Sequence, residues 1–241
     1  MQLKVLAHAL APHRVIGTLD REVESIAYDS RRVQSDTLFV AIRGEKSDGH
    51  QFVDQAIEQG ASVIVAEREI VSPRATCLVV DDSRGALADL SAVFYGMPAH
   101  KLKMAAVTGT NGKTTTTFLI KHICEKAGVR CGLLGTVQYE IGDRILPAIR
   151  TTPEALDIQE LLAQIVNAGG RAAARNLVQF GGDDALVVLH GSAERRHVDR
   201  VRRLQPEGHG VRLGAGDADV VVRKKVLDVC VWLKLDDDLV G

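Results

Sequence analysis

The sequence predicts an α/β protein in three parts: a small N-terminal α/β domain (1–98), a central domain on a parallel sheet (99–174), and a segment matching neither (175–241). Three observations carry this reading. Short β-branched runs alternate with helical stretches over the first two parts. A glycine-rich turn ending in Lys-Thr sits at one strand–helix junction, and the texture of the chain changes near residue 175.

In the first part, Leu38-Phe39-Val40-Ala41-Ile42 is an apolar run with strand character that stops at Gly44. Residues 52–59 read as a helix ended by Gly60. Ser62-Val63-Ile64-Val65-Ala66 and Cys77-Leu78-Val79-Val80 are further strands bounded by polar residues. Ser83 is placed to cap a helix bearing Leu87, Leu90 and Phe94, which Gly96 and Pro98 terminate. Met97-Pro98-Ala99-His100 then reads as a linker.

The second part opens with a strand, Met104-Ala105-Ala106-Val107, followed by the glycine-rich turn and a helix running to Ala127. Gly128 ends that helix, and Cys131-Gly132-Leu133-Leu134 is the next strand. Thr152 and Pro153 suit the N-cap and first position of another helix. Its Ile158, Leu161, Leu162, Ile165 and Val166 share one face, and Gly169-Gly170 stops it. The third part mixes arginine, aspartate, glycine and histidine. One strand is legible there, with Leu227, Val229, Val231, Leu233 and Leu235 alternating onto one side.

Composition narrows the function classes. Of 241 residues 46% are apolar and 25% charged, a globular balance far from disorder. A net charge of −1 gives no bulk attraction to nucleic acid or to an anionic membrane. Cys77, Cys124, Cys131 and Cys230 form no C-x-x-C pair, so buried reduced thiols are expected rather than zinc or disulfides. The N-terminus lacks the apolar core and cleavage site of a signal peptide, and no run approaches the ~20 apolar residues of a membrane span. A cytoplasmic protein is the expectation.

The strongest chemical signal is Gly109-Thr110-Asn111-Gly112-Lys113-Thr114-Thr115, between an apolar strand and a helix. Its glycines let backbone N–H groups converge on a phosphate, and the helix N-terminus adds its positive dipole end. Lys113 supplies a charge for the β- and γ-phosphates of ATP, and the Thr114 hydroxyl can coordinate Mg²⁺. The spacing is G-x-x-G-K-T, with Val107 where the longer phosphate-loop pattern has its first glycine.

That loop resembles the ATP loop of the Mur ligases. Tyr28-Asp29-Ser30-Arg31-Arg32-Val33, the stretch from Asp36 to Gly44, and Asp48-Gly49-His50 are similar to the first domain of the family member that extends UDP-N-acetylmuramoyl-L-alanyl-D-glutamate. Gly135-Thr136-Val137 resembles the segment after the family's second central strand, and Thr151-Thr152-Pro153 its substrate-binding turn. The resemblance implies an ATP-dependent amide ligase of peptidoglycan synthesis. ATP would convert the substrate's carboxylate to an acyl phosphate, which the amine of diaminopimelate or L-lysine attacks. It further implies that Ser30 contacts the UDP-sugar, and that Thr151 and Thr152 hold the sugar-peptide near the γ-phosphate.

Past Gly169-Gly170 the resemblance breaks. The family continues into a strand bearing a metal-binding glutamate and then Ser-Ser-His, whereas this chain has Arg171-Ala172-Ala173-Ala174-Arg175-Asn176-Leu177-Val178. The family's carbamylated lysine and its C-terminal domain, which takes the incoming amino acid, find no match. A frameshifted or truncated reading frame, or a divergent tail, accounts for this. Three functions stand side by side: a ligase impaired in this chain, a non-catalytic binder of ATP or UDP-sugar, and another phosphate-loop phosphotransferase. An incomplete central sheet is expected to expose an edge unless the tail completes it.

Overall fold

The computed structural model describes residues 1–44, 47–109, 111–148, 153–176, 212–213, 219–224 and 229–234. These residues form α/β units, one spanning Met1–Gly96 and one beginning at Met97. The α/β class expected from the sequence is the class observed.

The N-terminal unit is a five-stranded sheet of β1 (Arg14–Ile16), β2 (Ser25–Ala27), β3 (Thr37–Val40), β4 (Ala61–Ala66) and β5 (Thr76–Val79). The order is β1-β5-β4-β3-β2, with β2 to β5 parallel and β1 antiparallel at one edge. Every residue of β4 is buried, as expected of a central strand covered on both faces. Phe39, Ile64 and Cys77 pack with Val53, Ala56 and Ile57 of α2 (Val53–Glu58). Toward the other face, α3 (Ser83–Phe94) packs against β3 and β4, and α1 (Leu3–Leu10) packs against α3. Helix α1 was not legible as a helix in the sequence. Leu3, Leu6 and Ala7 fall at i, i+3 and i+4 and are its buried stripe.

The N-cap of α3 is Asp82, whose carboxylate accepts from the N–H groups of Arg84 and Gly85, rather than Ser83. Ser83 is the first helical residue, and both its N–H and hydroxyl donate to Glu67. An ionised carboxylate is the stronger acceptor for two converging amides, so the cap falls one residue earlier than expected.

The central unit has the expected parallel strands at its core, extended on both sides by antiparallel ones into a mixed sheet. It contains β6 (Lys103–Gly109), β7 (Cys131–Leu134), β8 (Gln138–Ile141), β9 (Arg144–Pro147), β10 (Ala172–Asn176), β11 (Arg212–Leu213), β12 (Asp219–Lys224) and β13 (Val229–Lys234). The order is β11-β12-β13-β6-β10-β7-β8-β9. Only β6, β10 and β7 are mutually parallel. β8 and β9 extend one side as an antiparallel hairpin. On the other side β13 pairs antiparallel with β6, so the tail covers the edge that the parallel core leaves open.

Helices α4 (Lys113–Lys126) and α5 (Ala155–Asn167) lie on opposite faces of this sheet. Ala105, Leu133, Ala172 and Ala174 pack toward α4 with Phe118 and Ile120. Met104, Ala106, Leu134 and Ala173 pack toward α5 with Ile158, Leu162 and Ile165. A Cβ at Gly132 would run into Ile165, so only glycine lets β7 approach α5 this closely. Pro98 and Ala99 are buried in a 3₁₀ turn, and Ala99 and Leu102 belong to the α5-side core. The expected linker is therefore part of the second unit. Helix α5 starts at Ala155 with Glu154 as N-cap, so neither Thr152 as cap nor Pro153 as first helical residue holds.

Candidate functional site

Strand β6 ends at Gly109 and α4 begins at Lys113, with the glycine-rich turn between. Gly112, the N-cap, has φ +77°, a left-handed conformation that a side chain would strain. As a glycine, this N-cap has no side chain to accept from the first-turn amides of α4, which form the positive end of the helix. Asn111 and Thr115 are exposed, and Gly112, Lys113 and Thr114 are half-buried. Thr110 lies outside the described residues, as do Thr151 and Thr152. The structure thus brings together Gly109, Asn111, Gly112, Lys113, Thr114 and Thr115 at one strand end.

The Thr114 Oγ1 lies 3.4 Å from Oγ1 of Thr136, in the loop after β7. Thr117 anchors the next turn of the helix and is fully buried. Its hydroxyl is 2.9 Å from the Thr114 carbonyl, 3.1 Å from that of Lys113 and 3.0 Å from Asn176 Oδ1. One hydrogen cannot serve three acceptors. Turning the Asn176 amide so that its NH₂ donates to Thr117, while Thr117 donates to Thr114, gives the hydroxyl one donor and one acceptor. Either way, Thr117 ties the phosphate-loop helix to the end of β10.

Lys121 joins α4 to β8, reaching Glu140 at 3.1 Å and also Glu125 one turn along. Burial works to lower its pKa, but the hydrogen bonds to Glu125 and Glu140 outweigh it and hold the ammonium above its usual value. This fixes the far side of the helix and leaves Lys121 out of any chemistry.

At the C-terminal end of β10 stand two buried polar residues that sequence reading left in the unmatched tail. Arg175 is 6% exposed and its Nη1 has no hydrogen-bond partner. Burial lowers its pKa to about 10, still well above neutrality. Asn176 is 7% exposed. No group of three or more His, Cys, Asp or Glu side chains able to hold a metal exists among the described residues. The end of β10, with a guanidinium and a carboxamide, does not fit a metal ion held by a strand carboxylate. The Thr114 hydroxyl does fit the single protein oxygen that a phosphate-bound Mg²⁺ needs.

Ser30 opens a 3₁₀ turn, Ser30–Arg32, in the N-terminal unit. It is buried, and its hydroxyl donates to Gln55 Oε1 at 3.2 Å. Asp29 accepts from the Arg31 side chain at 2.9 and 2.6 Å and from its backbone N–H, so the pair is a structural turn. The Arg31 guanidinium holds the Asp29 carboxyl below its usual range. His50 is buried between Asp48, 2.6 Å from its Nδ1, and the backbone N–H of Glu67, which donates to Nε2 at 3.0 Å. It is a satisfied core residue. Cys77 and Cys131 are buried free thiols, and Cys124 is a half-buried one. No helix among the described residues is long and apolar enough to cross a membrane.

Comparison with known proteins adds independent support. Residues 107–179 match the Mur ligase middle domain, and residues 22–95 match the Mur ligase family, catalytic domain. The UDP-N-acetylmuramoyl-L-alanyl-D-glutamate–2,6-diaminopimelate ligase of Clostridium tetani is 45% identical over 70% of this chain and 36% of its own length. That of Syntrophomonas wolfei is 51% identical over 61% of this chain and 30% of its own, and that of Geobacter sulfurreducens 38% identical over 84% and 38%. The chain therefore spans about a third of the length of the relatives it matches.

Among solved structures, a UDP-N-acetylmuramoyl-L-alanyl-D-glutamate–2,6-diaminopimelate ligase superposes with a TM-score of 0.60 over 95% of this chain and 59% of its own. At 17% identity that likeness speaks to fold alone. The UDP-N-acetylmuramoylalanyl-D-glutamyl-2,6-diaminopimelate–D-alanyl-D-alanyl ligase of Acinetobacter baumannii gives 0.52 at 26% identity, over 78% and 39%. With two ordered matches spanning over half of the chain, on the two units that the fold separates, the chain belongs to the Mur ligase family and carries its N-terminal and middle portions.

Proposed function

We propose that this chain is the nucleotide- and UDP-sugar-binding part of an ATP-dependent amide ligase of peptidoglycan synthesis, acting in the cytoplasm. One observation carries the reading: a helix N-terminus without a side-chain cap, behind a left-handed Gly112, with Lys113 and Thr114 on its first turn. That arrangement binds phosphate. The relatives' names supply the substrate class, UDP-N-acetylmuramoyl-L-alanyl-D-glutamate and 2,6-diaminopimelate. No nucleic acid or membrane enters this reading.

In the proposed mechanism the backbone of residues 109–112 cradles the phosphates of ATP, and Lys113 neutralises charge as the γ-phosphoryl group leaves. Thr110, Asn111 and Thr115 complete the cradle. Thr114 would hold a Mg²⁺, which would supply Lewis-acid charge at the phosphates. The acceptor carboxylate takes the phosphoryl group, and an amine then displaces phosphate to give the amide. Thr151 and Thr152 position the acceptor. Ser30, whose hydroxyl is engaged with Gln55, acts by setting the turn that meets the UDP-sugar rather than through a free hydroxyl.

The replacement of a strand carboxylate by Arg175 and Asn176 favours a second reading, a chain that binds ATP without turning it over. Calorimetric titration of Mg²⁺–ATP into the purified chain and its Lys113→Ala variant tests the first. Saturable binding that the variant loses supports the phosphate loop, and equal binding by both overturns it. Adding UDP-N-acetylmuramoyl-L-alanyl-D-glutamate and diaminopimelate, with phosphate release as readout, separates ligase from binder.

A further inference from the structure

We propose that Cys124 and Cys131 form a redox-active dithiol, which a small-molecule disulfide converts to an intramolecular disulfide between the end of α4 and the start of β7. The proposal is independent of the nucleotide reading. Cys124 follows Thr114 by ten residues, about 15 Å along the helix from the phosphate loop.

Two patterns bring the thiols together. On α4, Thr117, Ile120 and Cys124 fall at i, i+3 and i+7, the stripe that the helix turns toward the sheet. Cys124 is the last member of that stripe, in the turn that ends at Lys126. On β7, Cys131 and Leu133 face α4, while Gly132 and Leu134 face α5. Cys131 is the first residue of that strand.

The connection between them is short. Gly128, at φ +77°, turns the chain back, and the Val129 N–H donates to the Cys124 carbonyl at 2.9 Å. Cys124 and Val129 therefore pack into the same cluster as Cys131, and the two thiols are in hydrogen-bonding contact. A disulfide needs its Cβ atoms about 4 Å apart. What adjustment remains falls on the last turn of a helix, the part that yields most readily.

The two thiols differ in a way that orders the chemistry. Cys124 is half-buried beside the exposed residues 125–128, whereas Cys131 is buried. Burial first, and then the neighbouring Cys124, push the Cys131 thiol up to about 12. The thiolate is the attacking species, so the first attack falls to Cys124. It loses its proton to solvent and attacks one sulfur of the small disulfide. That S–S bond breaks, and one half leaves as a thiolate that takes up a proton. The mixed disulfide on Cys124 carries no charge, which removes the neighbour's share of the rise at Cys131. Cys131 then attacks Sγ of Cys124, and its proton goes to the second departing thiol. The protein pair gives up two electrons and two protons, and the small disulfide is reduced to two thiols.

The test uses the full, reduced chain incubated with 2-hydroxyethyl disulfide at mildly alkaline pH, with circular dichroism confirming that the fold is kept. Remaining thiols are blocked with N-ethylmaleimide, and the chain is digested with trypsin without reductant. Cleavage after Lys121, Lys126, Arg130 and Arg144 puts the two cysteines in separate peptides, 122–126 and 131–144. We expect mass spectrometry to find these two peptides joined, and dithiothreitol to separate them. Cys131→Ser should stop at the mixed disulfide on Cys124, and Cys124→Ser should leave Cys131 unmodified over the same exposure. If Cys131→Ser does not fold, the joined peptides of the parent and the protection of Cys131 in Cys124→Ser carry the test. Recovery of both parent peptides blocked by maleimide, a parent that stops at the mixed disulfide, or a link from either peptide to Cys77 or Cys230 in its place overturns the proposal.

Discussion

The centres of the two sheets invite comparison. In the N-terminal unit β4 is buried from end to end and apolar through its carboxyl end, with Val63, Ile64 and Val65 fully enclosed and its one polar residue, Ser62, near its start. In the central unit β10 begins the same way, with Ala172, Ala173 and Ala174 buried, and then ends in Arg175 and Asn176, also buried. A strand that stays apolar to its carboxyl end serves packing alone. One that turns polar under burial gives up stability there and gains donors where α/β sheets place their ligands.

The largest effect should come from the apolar strand. Ile64→Ala opens a cavity in a fully buried site and should cost about 2–5 kcal/mol. Urea unfolding followed by circular dichroism measures it. The single tryptophan, Trp232 on β13, provides a fluorescence reading of the other sheet, which should change less if the two centres are energetically separate. Next is Lys113→Ala, expected to weaken Mg²⁺–ATP binding by about 2 kcal/mol, roughly thirtyfold, in calorimetry. An unchanged affinity would place nucleotide binding elsewhere.

Smaller still, Thr117→Val removes the hydroxyl linking α4 to Asn176 and leaves a buried amide less satisfied. It should cost about 1–2 kcal/mol in urea unfolding of the central unit, and no loss would mean that the linkage is dispensable. The smallest effect concerns Asp29. Its folded-state pKa is depressed chiefly by the Arg31 hydrogen bonds, so its contribution is present above the ordinary carboxylate pKa and is lost as pH falls through the lower, folded value. Its partner is exposed, so solvent screening limits this to about 1 kcal/mol or less. Stability of Asp29→Asn should therefore fall below that of the parent at neutral pH and converge with it in acid. Parallel curves would show that the turn does not depend on the charge.

How much was legible follows from where each signal lies. The strands at residues 38–42, 62–66 and 77–80 read directly because buried parallel strands are continuous β-branched runs. The strand–turn–helix around Gly112 and Lys113 read equally well, since its glycines mark the turn and the apolar runs flank it. Helix α1 did not, because its Leu3, Leu6 and Ala7 stripe is too short to stand out from a generic apolar N-terminus. The caps of α3 and α5 were misplaced by one and two residues, a choice made among neighbouring polar groups by tertiary contacts such as Glu67 with Ser83. Strand β13 was visible as a period-two run, but not its partner.

From the sequence alone came the α/β class, the phosphate loop with its lysine and threonine, and the Mur ligase resemblance. Each of these depends on residues near one another in the chain. Tertiary structure decided that β13 covers the open edge of β6, that Ser30 is engaged with Gln55, and that Arg175 is buried beside the start of α5. Those facts join residues 20 to more than 100 positions apart. Burial and pairing at such separations follow from how the sheets close, which local pattern does not encode.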